Sequence, residues 1–119
     1  MKFETPPLND GEIHIAALTD AKGELYHLIL LPGDNDDATH AAQMEWAKSI
    51  GGDLPSRVEQ ALLWERARDQ FEKGWYWSNE TTHHTESGWA WFQTFGDGNQ
   101  NYNYTSSELR ARAVRRLPI

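Results

Sequence analysis

Along the chain, the first regular alternation of apolar and polar positions covers residues 12–18, where Ile13 and Ile15 alternate with His14 and Ala16. That is the period of a half-buried strand. Asp20-Ala21-Lys22-Gly23 supplies turn chemistry, with Gly23 able to take positive φ. Residues 25–31 follow, ending at Pro32-Gly33, so the pair reads as a hairpin. The unbroken apolar end of the second strand predicts cover on both of its faces. After an acidic loop at 34–37 the period becomes helical. Ala42, Trp46 and Ile50 fall on one face with Ala47 beside them, and Gly51-Gly52 ends that helix. Ser56 and Glu59 have the spacing of a capping box, which starts a second helix with Val58, Leu62, Leu63, Ala67 and Phe71 as its apolar positions. Beyond Gly74 the period returns to two. Residues 75–78 form a short aromatic strand, 79–88 a polar loop, and 88–95 a strand with Trp89, Trp91 and Gln93 on one face. Residues 96–107 read as a polar segment carrying two tyrosines, and 109–117 as a last strand. Two strands, two helices and three or more strands predict one α+β domain over residues 11–119, after a flexible lead-in at 1–10.

Composition narrows the function classes. The 119 residues carry 18 acidic and 11 basic side chains, a formal charge of −7, which argues against a nucleic-acid binder. There is no cysteine, so disulfides, thiolate catalysis and Cys-ligated zinc are excluded. No apolar run approaches the roughly 20 residues that span a bilayer, and the opening residues lack the apolar stretch of a signal peptide. The expectation from these features is a chain without a signal peptide or membrane insertion. Six Trp, four Tyr and four Phe supply much of the apolar area.

Trp46-Ala47, Gly52-Asp53-Leu54-Pro55-Ser56-Arg57, Trp75-Tyr76-Trp77-Ser78, Ala90-Trp91 with Phe95, and Arg112-Ala113-Val114-Arg115-Arg116 occur in that order. Together they resemble a bacterial and phage domain of unknown function that is also found at the C-terminus of collagen-like bacterial adhesins. With residues 27–33 upstream, the whole chain is similar to short proteins of tailed phages and prophages, which implies a host cytoplasm or a virion as its setting. The resemblance implies a C-type-lectin-like fold: two helices packed on small antiparallel sheets, with long loops displaying a binding surface. It also implies that such domains can form homo-oligomers. The Glu-Pro-Asn and Trp-Asn-Asp motifs of calcium-dependent lectins are absent, so neither calcium nor sugar specificity carries over.

Among candidate sites, residues 97–107 combine Asn, Tyr, Ser and Gly, the residue types of adaptable recognition loops. Asn99, Asn101, Tyr102, Asn103 and Tyr104 are the expected contacts for a protein or carbohydrate ligand, with loop 79–88 beside them. The plainer alternative is a polar loop tied by its own side chains. Trp77, Trp89 and Trp91 are expected in the core. His83 and His84, flanked by Glu80 and Glu86, could meet a metal only if a turn brought them together; a solvated loop is the plainer reading. Arg110, Arg112, Arg115 and Arg116 could grip an anion, but pairing with acids such as Glu59, Glu65, Asp69 and Glu72 suits an acidic chain better. Ser56 and Ser78 lack a nucleophile elbow, and no glycine-rich phosphate loop occurs. The expectation is a non-enzymatic binding module without cofactor. The alternatives are a tail- or fibre-associated virion component, with an exposed patch of Trp64, Phe71 and Trp75, and an intracellular modulator of host defence.

Overall fold

The structure is a computed structural model that describes residues 4–81 and 88–119. Strands β1 (Ile13–Thr19) and β2 (Leu25–Ala38) pair antiparallel around a turn in which Asp20 Oδ1 accepts from the Lys22 and Glu24 amides. Gly23 closes that turn at φ +80, as its position predicts. Helix α1 (His40–Ser49) and helix α2 (Arg57–Ala67) follow, then one turn of 3₁₀ helix (Arg68–Gln70) and strands β3 (Trp75–Thr81), β4 (Trp89–Thr94), β5 (Gln100–Tyr104) and β6 (Leu109–Pro118).

All six strands join one open sheet in the order β1-β2-β6-β3-β4-β5. Its pairings are antiparallel except at β3–β6, where Tyr76 and Arg110 meet in a single parallel register. The expected separate small sheets are thus two antiparallel halves fused at that contact. Inserting β6 beside β2 buries His27 to Leu31 as a continuous run, the two-sided cover that the sequence predicts.

The two helices occupy opposite faces. On one, Leu63 and Ala67 of α2 pack with Leu28, Leu30, Tyr76, Phe95 and Val114. On the other, Ala47 of α1 packs with Leu31, Leu54, Trp77, Phe92, Ala111 and Ala113. Alternation along β6 explains the division, since successive side chains of a strand point to opposite faces.

Three expectations change. Strand β2 does not stop at Pro32-Gly33 but runs to Ala38, with a register shift between Leu30 and Asp34. Proline is tolerated at such a bulge because no ladder amide is needed there, and beyond it Asp34 and Asn35 lie opposite Arg112 and Ala111. The predicted acidic loop is therefore paired strand. Second, α1 buries His40, Gln43 and Ala47, while Ala42 and Ile50 are exposed and Trp46 is half-buried. Gln43 can be buried because Nε2 donates to Asp36 O and Leu109 O, and Oε1 accepts from Asn35 Nδ2, all at 2.8 Å. Third, α2 buries Glu59 and Gln60 alongside Leu63 and Ala67 and leaves Val58 65% exposed. Its predicted start is observed: Ser56 Oγ accepts from Glu59 N, and Glu59 Oε1 accepts from Ser56 N.

Candidate functional site

Residues 100–104, expected as loop, form the edge strand β5. Its register sets Tyr104 opposite Trp89, Tyr102 opposite Trp91 and Gln100 opposite Gln93. Opposed side chains share a face, so two tryptophans and two tyrosines make an aromatic ladder. Trp89 and Tyr104 have ring centroids 4.1 Å apart, and Tyr102 meets Trp89 at 5.4 Å and Trp91 at 5.2 Å, both edge-on. Tyr102 is 38% and Tyr104 57% exposed. Trp89 and Trp91 are half-buried; of the three tryptophans expected in the core, only Trp77 is fully buried. Among the described residues, one helical side chain is recorded against this part of the sheet face. That side chain is Arg57, whose guanidinium lies 3.5 Å from the Trp91 ring centroid.

Amides fix the ladder to the helix. Gln93 Nε2 donates to Gln60 O, Gln100 Nε2 donates to Gln93 Oε1 and to Arg57 O, and Arg57 Nε donates to Gln100 Oε1. Gln93 is fully buried, so its satisfied amide specifies the register of the hairpin more firmly than an apolar side chain would. The turn joining β4 to β5 is held on the other side by Gly98, whose φ is +82; a Cβ there would sit 2.6 Å from the Trp64 ring. Glu80 Oε2 accepts from Arg57 N at 2.6 Å, placing a carboxylate at the start of α2, where the helix dipole favours it.

The five expected contact residues are divided by this arrangement. Tyr102 and Tyr104 stand on the ladder face, whereas Asn101 and Asn103 lie opposite Phe92 and Ala90 on the reverse. Their carboxamides serve the strand itself: Asn101 Oδ1 accepts from Tyr102 N at 2.8 Å and Asn103 Oδ1 from Tyr104 N at 2.7 Å. Asn99 belongs to the turn, where its amide nitrogens donate to Asp97 and its carbonyl accepts from Thr94 N. The three asparagines thus have local structural roles. Arg57 and Gln100 join the tyrosines instead. The sequence signal for them is the mirrored spacing Trp89-x-Trp91-x-Gln93 and Gln100-x-Tyr102-x-Tyr104, which fits a hairpin register once the tyrosine segment is taken as a strand.

The C-terminal arginines do pair with acids. Arg110 meets Asp34, Asp36 and Glu72; Arg115 meets Glu12; Arg116 meets Asp53 and Glu59. Of the expected helical partners, Glu59 and Glu72 take part, and Glu65 and Asp69 do not appear in these pairs. Arg112 is different: it is buried and donates to the carbonyls of Leu31 and Gln70. Burial pushes its pKa down, against the attraction of Asp34. Tyr76, whose hydroxyl donates to Asp34, is pushed up to about 12, chiefly by burial and then by that bond. Trp64 and Phe71 are half-buried against the α2-side core, whereas Trp75, 49% exposed, stacks on Phe92 across the sheet. The three therefore form no single patch.

His83 and His84 lie outside the described residues, as does the rest of 82–87, while Asn79, Glu80 and Thr81, expected as loop, are the end of strand β3. Among the described residues no cluster of three or more His, Cys, Asp or Glu side chains is placed to hold a metal ion, and no helix is long and apolar enough to cross a membrane. No family model and no curated protein matches this chain.

Proposed function

We propose that this chain is a non-enzymatic binding module of phage or prophage origin with a C-type-lectin-like fold, and that it recognises a protein or glycan through the aromatic ladder. One observation carries the reading: Trp89, Trp91, Tyr102 and Tyr104 share one sheet face, with Tyr102 and Tyr104 substantially exposed. Exposed aromatic rings held in one geometry lose little entropy on contact, and such residues dominate binding energetics. The amide network from Gln60 to Arg57 supports it by holding those rings in place before a ligand arrives. Finding β2 beside β6, with both helices between them in sequence, is in keeping with the lectin-like assignment.

The test is retention on immobilised host-envelope fractions, comparing the native chain with Tyr102→Ala/Tyr104→Ala. Loss of two anchor rings should weaken retention at least about tenfold, the equivalent of roughly 1.4 kcal/mol, with thermal stability little changed. Equal retention by both proteins would remove the ladder from the interface.

A further inference from the structure

A concavity lies beside the N-terminus of α2. The turn joining β1 and β2, the first turn of α2 and the ends of β3 and β6 enclose about 490 Å³. Its walls include Leu18, Leu25, Val58 and Pro118. Leu25 is 39% and Val58 65% exposed, so this is apolar surface left open to solvent.

The floor is polar and already satisfied. Tyr26 donates its hydroxyl proton to Glu59 Oε2 at 2.7 Å, and Arg116 grips the same carboxylate through Nε and Nη2 at 2.8 and 2.7 Å. The remaining Arg116 nitrogen, Nη1, donates to Asp53 at 2.8 Å. Two carboxylates therefore over-compensate the guanidinium, the one cationic group among the lining residues. The rim adds Asp20, Glu24 and Glu80, none of which is ion-paired among the described residues. Asp20 and Glu80 accept backbone amides, whereas Glu24 is exposed in the turn.

An apolar enclosure with an excess of carboxylates selects its ligand by both properties. We propose that this cavity binds an organic cation, an ammonium or guanidinium head on an aliphatic stem. A lysine or arginine side chain of a peptide and a free alkylamine share this chemistry. The stem lies against Leu25 and Val58, and the head meets the Glu24 and Glu80 carboxylates. The proposal stands apart from the ladder, because no ladder side chain lines the cavity.

Backbone amide shifts in a ¹⁵N-labelled sample, titrated with hexylammonium, hexanoate, hexanol and acetyl-lysine methylamide, provide the test. Hexylammonium should shift the amides of residues 18–25 and 58, hexanol weakly, and hexanoate not at all. Glu24→Gln should weaken the cation about threefold to tenfold, as expected for one partly solvated charge contact. Val58→Lys, a change at a mostly exposed position, should abolish binding while leaving the spectrum dispersed. Acetyl-lysine methylamide binding more tightly than hexylammonium assigns the site to peptide side chains; the reverse order assigns it to free amines. Equal shifts from hexanoate, or no shifts with either cation at millimolar concentration, overturn the proposal. Tyr102→Ala/Tyr104→Ala should bind hexylammonium unchanged, so this failure is separable from that of the ladder.

Discussion

At Glu59 one carboxylate meets three demands. It closes the capping box on Ser56 N, accepts the Tyr26 hydroxyl and receives two Arg116 nitrogens, while only 1% of the residue is exposed. Burial alone would raise its pKa. The Arg116 bonds, the Ser56 amide and the Tyr26 hydroxyl overcome that and hold it below 4.5. Replacement by glutamine keeps an oxygen for the cap but leaves Arg116 opposed only by Asp53. Breaking one side of a buried pair costs about 3–5 kcal/mol, whereas losing a cap hydroxyl costs about 1 kcal/mol. Glu59→Gln should therefore destabilise the domain well beyond Ser56→Ala when both are unfolded in denaturant. If the two losses are equal, Glu59 acts as a cap and little more.

At the level of elements, β5 shows how an amide-rich segment can be a strand. Asparagine is depleted in strands generally, so composition argues for a loop, yet the Asn-Tyr-Asn-Tyr order has the strand period. An edge strand leaves alternate amides without a neighbour, and here Asn101 and Asn103 accept from the amides that follow them. Asn101→Val/Asn103→Val should raise local strand propensity but uncap that edge, giving concentration-dependent association in sedimentation. A variant that sediments as the native chain does at every concentration would show that the carboxamides do not guard the edge. The other elements divide by whether their cause is local. The first hairpin, the Ser56 start of α2 and β4 were legible because alternation, turn residues and the capping box are signals within a few residues. The continuation of β2 past Pro32 depends on its β6 partner 76 to 81 positions away, where Arg110 binds Asp34 and Arg112 binds Leu31 O. On α1, hydrophobicity favours Ala42 and Trp46 beside Ala47, whereas Ala47 is joined in the interior by Gln43, which is drawn inward by Asn35, Asp36 and Leu109. The site was half legible for the same reason: the tyrosines stood out by composition, but Arg57 and Gln100 join them only through tertiary register.

For the molecule as a whole, net charge and the partly or fully buried histidines pull in opposite directions as pH falls. A chain of net charge −7 gains from neutralisation, but carboxylates in general take up protons only at about pH 4. Histidine dominates at milder acidity. His14 is held below 6.5 by burial, then by the nearby His27 and Arg66; His40 is also held below it by burial, against the Ser78 carbonyl that its ring meets at 2.8 Å. His14 Nε2 and His27 Nδ1 face each other at 2.9 Å, a contact that requires one of the two nitrogens to be unprotonated. Since these folded values are depressed, the unfolded chain protonates first, and stability falls once pH drops below 6.5. A second decline begins below 4.5, where Glu12, bound chiefly through Arg115, and Glu59 must give up their ion pairs. The thermal midpoint should therefore descend in two stages. His14→Gln, which can still hydrogen-bond to His27, should shrink the upper stage and leave the lower one in place. A midpoint that stays level from about pH 8 to about pH 5 would mean that relief of net charge outweighs the buried histidines in this window.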